Sequence, residues 1–209
     1  MDEIVNRKIE KYLTKIRPPR DEILREMEQV AEDGKFPIVG PDVGRLLFNL
    51  ARATGARRVL ELGSGYGYSA YWFALALPAD GEVHCTDTNP DNRRAAENYF
   101  ARADMSAKLR FHAGDALEIA AGLRGPFDIV FNDIDKEDYP RAIAVASAAL
   151  RPGGLFLTDN ALWDGKVADR NPDATTAAVF RFNDELTRDP GFSTVVLPLR
   201  DGVSVALKL

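Results

Sequence analysis

The stretch Val59–Tyr71, Val-Leu-Glu-Leu-Gly-Ser-Gly-Tyr-Gly-Tyr-Ser-Ala-Tyr, constrains the fold more than any other part of the chain. A short apolar run carrying one acid, Glu61, breaks into glycines at 63, 65 and 67. Tyr68 then opens the apolar stretch Ser69–Leu77, which has the pattern of a buried helix. Strand, glycine turn and helix in that order form a ligand-holding unit of open α/β sheets, because glycine admits backbone angles and close approaches that a side chain blocks. The glycine register selects among ligands. A dinucleotide fingerprint, G-x-G-x-x-G counted from Gly63, needs glycine where Tyr68 stands. A phosphate loop needs Gly-Lys followed by Ser or Thr, but Lys35 precedes Phe36 and Lys166 precedes Val167.

The rest of the chain fits an α/β sheet. Amphipathic patterns predict helices over 2–16 and 21–33, parted by Arg17-Pro18-Pro19-Arg20, with Asp21 as an N-cap. Arg7, Lys8, Lys11, Lys15, Arg17 and Arg20 make the first segment basic. A solvated helix face accounts for this; a surface recruiting an acidic substrate or a second subunit is the sharper alternative. A loop over Phe36–Asp42 leads to a helix over Val43–Thr54, stopped by Gly55. Strands are predicted at Glu82–Asp87, Leu109–Ala113, Phe127–Asn132 and Leu155–Thr158, alternating with helices at Pro90–Ala103, Ala116–Leu123 and Tyr139–Leu150. Such alternation builds a parallel sheet covered on both faces. After a helix near Thr175–Thr187, strands Ser193–Leu199 and Val203–Leu207 flank Arg200-Asp201-Gly202, a hairpin signal that reverses the last strand.

At 209 residues with 45% apolar content, one domain is expected, with N-terminal helices in 1–55 and a Rossmann-like core in 56–209. The net charge of −5 argues against a nucleic-acid partner. A single cysteine, Cys85, excludes an internal disulfide and sits in an apolar strand as a buried thiol. No apolar run approaches the ~20 residues of a membrane span, so no membrane partner is expected and a cytoplasmic protein is.

Ligands of doubly wound sheets lie beyond the carboxyl ends of the strands. Asp87 ends the second strand, close to the spacing of about 20 residues at which an acid takes ribose hydroxyls, although a turn also follows it. Asp115 begins a helix and is either its cap or part of the site. Strand ends also supply Asp133, Asp159 and Asn160, two carboxylates and an amide. These are hard oxygen ligands suited to Mg²⁺, Mn²⁺ or Ca²⁺ rather than zinc. His84 and His112 lie inside apolar strands and fit core or edge positions better than ligand positions.

Glu-x-Gly-x-Gly-x-Gly resembles motif I of the class I S-adenosylmethionine (SAM) methyltransferases. The resemblance implies that Glu61, Gly63 and Gly65 receive the amino-acid end of SAM, with Ser69 on its carboxylate and Val39 closing over the methionine. Asp115 and Ala116 would edge the adenine. It also implies a mostly parallel seven-stranded sheet with an antiparallel C-terminal strand. Further on, Asp133–Tyr139 (Asp-x-Asp-Lys-x-x-Tyr), Arg151–Gly154 and Asp159–Val167 are similar to the cation-dependent O-methyltransferases, which include catechol and caffeoyl-coenzyme A O-methyltransferases and bacterial relatives. That likeness runs from about residue 20 to the end.

From this group come further expectations. Asp133, Asp159 and Asn160 hold the cation, Asp133 also edges SAM, and Lys136 takes a proton from a small hydroxylated, catechol-like acceptor. Trp163 serves as a lid, a ring-stacking surface or a plain hydrophobic anchor. The chain forms a homodimer. Asn132, Ile134, Pro140 and Ala142 depart from the pattern, and they are expected at the substrate-facing edge. A metal-free methyltransferase of another metabolite, or a silent SAM-binding protein, remains as the alternative.

Overall fold

A computed structural model describes residues 4–209 of the chain. Its seven strands are β1 (Arg58–Leu62), β2 (Glu82–Asp87), β3 (Leu109–Ala113), β4 (Phe127–Asn132), β5 (Leu150–Thr158), β6 (Phe192–Leu197) and β7 (Val203–Lys208). They form one sheet in the order β3-β2-β1-β4-β5-β7-β6. β7 runs antiparallel to both neighbours, and the other pairings are parallel. The reversal is made at Leu199–Gly202, where the Gly202 N–H donates to the Leu199 carbonyl at 2.9 Å. This is the doubly wound, Rossmann-like α/β class expected from the alternation of elements.

The helices are α1 (Arg7–Ile16), α2 (Glu22–Gly34), α3 (Gly40–Ala53), α4 (Tyr68–Ala76), α5 (Pro90–Arg102), α6 (Ala116–Gly122), α7 (Tyr139–Ala149) and α8 (Ala174–Arg188). Asp21 caps α2 as expected, accepting from the Leu24 N–H at 2.8 Å. The helix expected over 2–16 begins at Arg7, after the Asn6 cap; residues 2 and 3 lie outside the described residues. α1 buries none of its side chains, and its basic residues are exposed. Just beyond it, Arg17 forks onto Asp42 through bonds of 2.7 and 2.6 Å, tying the segment to α3.

Other boundaries also differ from expectation. α3 starts at Gly40 rather than Val43, because proline at the first helical turn forfeits only an N–H that has no partner there anyway. β5 starts at Leu150, which pairs with Phe127 across an irregularity in the β4–β5 ladder. Pro152 and the following glycines are tolerated there because a bulge releases ladder hydrogen bonds. The segment after Asn160 is not open loop throughout: Trp163–Ala168 forms short 3₁₀ turns about a kink at Asp164 and Gly165.

Side chains alternate across the sheet into two cores. Phe131 and Leu157 join Met27, Leu47 and Trp72 on one face; Leu60, Val130 and Phe156 join Tyr139 and Phe182 on the other. α4 is buried nearly all round, as its uniform apolar sequence requires. Trp72 lies against Gly44 of α3, where any β-carbon would overlap the indole. Cys85 is buried. His84 and His112 meet across β2 and β3, with ring nitrogens 3.2 Å apart and rings stacked. Among the described residues no helix is long and apolar enough to cross a membrane.

Candidate active site

Parallel strands deliver their carboxyl ends to one edge of the sheet. There the ends of β1, β2, β4 and β5 wall a cleft of about 580 Å³. The turn after β1 forms its floor. Gly63 takes φ +78°, and a β-carbon there would lie 2.5 Å from the Asp133 carbonyl oxygen, so only glycine lets the two strand ends meet. The Asp133 N–H returns a bond of 2.8 Å to the Leu62 carbonyl.

Asp87 lines the cleft and does structural work as well. Its Oδ2 accepts from the Gly65 N–H at 3.0 Å, and Oδ1 accepts from the Asn89 N–H at 2.7 Å and Asn92 Nδ2 at 3.0 Å. Ser69 lines the same wall from the first turn of α4. Val39, the residue before α3, is buried against it. Asp115 is both things at once: it caps α6, accepting from the Glu118 N–H at 2.8 Å, and lines the cleft beside Ala116.

Glu61 does not reach the cleft wall. It is fully buried beneath the turn, and Cys85 Sγ approaches its Oε2 at 3.6 Å. Burial pushes its carboxyl up to about 8, against the opposing pull of the Ser69 and Ser64 hydroxyls.

The segments after β4 and β5 bring Asp133, Lys136, Asp159 and Asn160 to the same cleft, and Trp163 lines it too. Lys136 Nζ donates to Asp133 Oδ1 at 3.1 Å and to the Ile134 carbonyl at 3.2 Å. It also lies 4.9 Å from the Tyr139 ring centre and 5.6 Å from that of Trp163. Asp159 is almost fully buried, and its Oδ1 has no hydrogen-bond partner. Desolvation, then the charge of Asp133, raises its carboxyl to about 7; desolvation likewise raises that of Asp133, against Lys136. Asn160 takes φ +54° and donates its amide to Asp201 Oδ2 at 3.1 Å. The Tyr139 hydroxyl donates to the Asp159 carbonyl at 3.0 Å.

Of the four departures from the family pattern, only Ile134 lines the cleft. The expectation that all four face the substrate is corrected. Asn132 and Ala142 are fully buried on the α7–α8 side of the sheet, because strand alternation turns Asn132 away from its neighbour Asp133. Pro140 sits in the first turn of α7. Conversely, Phe36, Thr175 and Arg200 line the cleft, where none of the three was expected. Phe36 packs on Tyr66 at 4.9 Å between ring centres. Each arrives from an element distant in sequence, which no local pattern signals.

An O-methyltransferase family model matches residues 16–209. The chain is 32% identical over 198 residues to a catechol O-methyltransferase of Niastella koreensis, covering 90% of both chains. It is 29% identical to caffeoyl-CoA O-methyltransferase 1 of Eucalyptus globulus, covering 94% of this chain and 85% of that one. Among solved structures it is similar to a Bacillus cereus O-methyltransferase in complex with S-adenosylhomocysteine, at 28% identity, TM-score 0.87 and 97% coverage of each. An O-methyltransferase of Streptomyces achromogenes in complex with SAM matches at 31% identity, TM-score 0.87 and 96% coverage of each. With the family model spanning nearly the whole chain, this protein belongs to the O-methyltransferase family.

Proposed function

We propose that the chain moves a methyl group from SAM to a hydroxyl of a small catechol-like or phenolic acceptor, with a divalent cation held by Asp133, Asp159 and Asn160. The observation that carries this is one cleft lined both by Gly63, Gly65, Ser69 and Asp87 and by Asp133, Lys136, Asp159 and Asn160. The second group fits a hard cation. Its oxygen donors include no sulfur or imidazole. The buried, unpartnered Oδ1 of Asp159 beside a second carboxylate is a conflict that positive charge relieves. The amide nitrogen of Asn160 is engaged by Asp201, which leaves its carbonyl as the ligating atom. Among the described residues no three His, Cys, Asp or Glu gather into a metal site, and in this reading the third ligand is the Asn160 amide. When bound, the ion stabilises the anion of a phenol whose ordinary pKa is ~10.

The chain's own residues bind and orient. Asp87 accepts from the ribose hydroxyls, Asp115 and Ala116 edge the adenine, and Gly63, Gly65, Ser69 and Val39 hold the methionine end, with Glu61 supporting the turn from below. Lys136, in its neutral amine form, takes the hydroxyl proton at Nζ and becomes the ammonium. The new O–CH₃ bond forms as the S–CH₃ bond breaks, leaving S-adenosylhomocysteine and a methyl ether. Trp163 covers the acceptor. Most of the rate comes from alignment, since the sulfonium methyl is already electrophilic.

A homodimer belongs to the same proposal, with the N-terminal helices at the interface or the substrate entrance. α1 exposes Ile9, Tyr12, Leu13 and Ile16 at helical spacing, an apolar stripe open to a partner. Light scattering that shows a monomer at micromolar concentration removes it.

The functional test is transfer of labelled methyl from SAM to vicinal diols and to matched monophenols in Mg²⁺. Turnover confined to diols is expected, because a lone hydroxyl cannot chelate. Equal turnover of monophenols favours a metal-free enzyme, and SAM binding without transfer to any acceptor favours a silent binding protein.

A further inference from the structure

Arg200 is the cation of the cleft that the proposed chemistry does not use. It lies between Leu199 and Asp201 in the β6–β7 turn and lines the cleft with its side chain 46% exposed. Its φ of +53° is one that glycine adopts readily and other residues adopt at a cost, so an arginine here is not explained by the turn. The side chain passes the first residue of α3, with Nε and Cδ about 4 Å from where a β-carbon of Gly40 would stand. Its nearest charged partner is Asp159, at 3.7 Å from Nη1 to Oδ2, too long for a hydrogen bond. Among the neighbouring acids, Glu137 accepts from Thr175, Asp138 from Arg141, and Asp201, beside Arg200 in the turn, from Asn160 and the Asp164 N–H. A guanidinium with its N–H fork uncommitted, on the wall of a ligand cleft, is suited to a planar carboxylate.

We infer that Arg200 forms an anion subsite that selects acceptors carrying a carboxylate in addition to their hydroxyls. Two sources of carboxylate meet in this cleft, the acceptor and SAM itself. From β1, whose turn underlies the SAM site, the order runs β4, β5, β7, so the backbone of the Arg200 turn stands about 14 Å away while its side chain runs past Gly40; SAM affinity, measured alongside, separates the two sources. The turn bearing Arg200 leads into β7, beside the end of β5 where Asp159 and Asn160 stand. The inference rests on the acceptor reading above and adds the acceptor's charge class.

The experiment compares kcat/KM for 1,2-dihydroxybenzene, 3,4-dihydroxybenzoate and 3,4-dihydroxycinnamate in the unmodified protein, Arg200→Gly and Arg200→Asn, with SAM affinity measured alongside. Glycine and asparagine both tolerate positive φ, so the turn is kept. The unmodified protein is expected to prefer a carboxylated diol by on the order of tenfold, and both variants to lose that preference while SAM affinity stays within about twofold. An unmodified protein without the preference, variants that keep it, or a loss found only in SAM affinity each overturns the subsite. Turnover of none of the three diols removes the functional proposal itself, and the subsite with it.

Discussion

The main-chain carbonyl of Asp133 occupies the space that a β-carbon on residue 63 would need, 2.5 Å away. The turn assigned to SAM and the strand end assigned to the cation are therefore one packed unit. Gly63→Ala adds a side chain at positive φ against backbone that cannot give way. A loss of about 2–4 kcal/mol in stability is expected, with SAM affinity falling too. Urea unfolding checks this; a change below about 0.5 kcal/mol shows that the two strand ends are free to separate.

Asp87→Ala removes the acceptor proposed for the SAM ribose and also the tie to the Gly65 N–H. Weakening of SAM by about 1.5–3 kcal/mol is expected, since hydrogen bonds to a charged group are lost. Isothermal titration reads this directly. Unchanged affinity in a folded variant moves the ribose elsewhere.

Tyr139→Phe deletes one buried hydroxyl and leaves the Asp159 carbonyl without that donor. The expected cost is about 1 kcal/mol of stability, with kcat reduced more than KM for SAM is raised. A variant with normal kcat shows that Asp159 holds its place without this bond.

Glu61 ties stability to pH. Its carboxyl titrates near 4.5 when free and about 8 when buried. Between those values the unfolded chain has released a proton that the folded chain keeps, so stability falls as pH rises from about 4.5 to about 8 and levels off above. Glu61→Gln removes the part of the slope that Glu61 supplies, at most about 1.4 kcal/mol per pH unit, while the raised carboxyls of Asp133 and Asp159 keep theirs. Denaturant midpoints at pH 5 and pH 8, without SAM, test it: parallel losses in both proteins contradict the assignment.

The legible parts were those that local sequence specifies. Gly63–Gly67 announces a strand-to-helix turn because its geometry admits little else, and Asp87, Asp133 and Asp159 stood out because each ends an apolar strand. What stayed hidden depends on contacts between distant segments. Arg200 enters the cleft only because β7 inserts between β5 and β6. Phe36 matters because it meets Tyr66, and Asp87 holds Gly65 as well as facing the cleft. Asn132 was misread because its place in the motif was visible and its side of the sheet was not.

The central claim is that cation and SAM are held by different side chains of one cleft and that transfer needs both. SAM affinity and methyl transfer to a vicinal diol, measured on one sample in EDTA and again after Mg²⁺ is restored, test it most directly. Affinity for SAM within about twofold across the two conditions is expected, with transfer lost in EDTA and recovered with Mg²⁺. Full turnover in EDTA would contradict the account and return Asp133, Asp159 and Asn160 to structural roles.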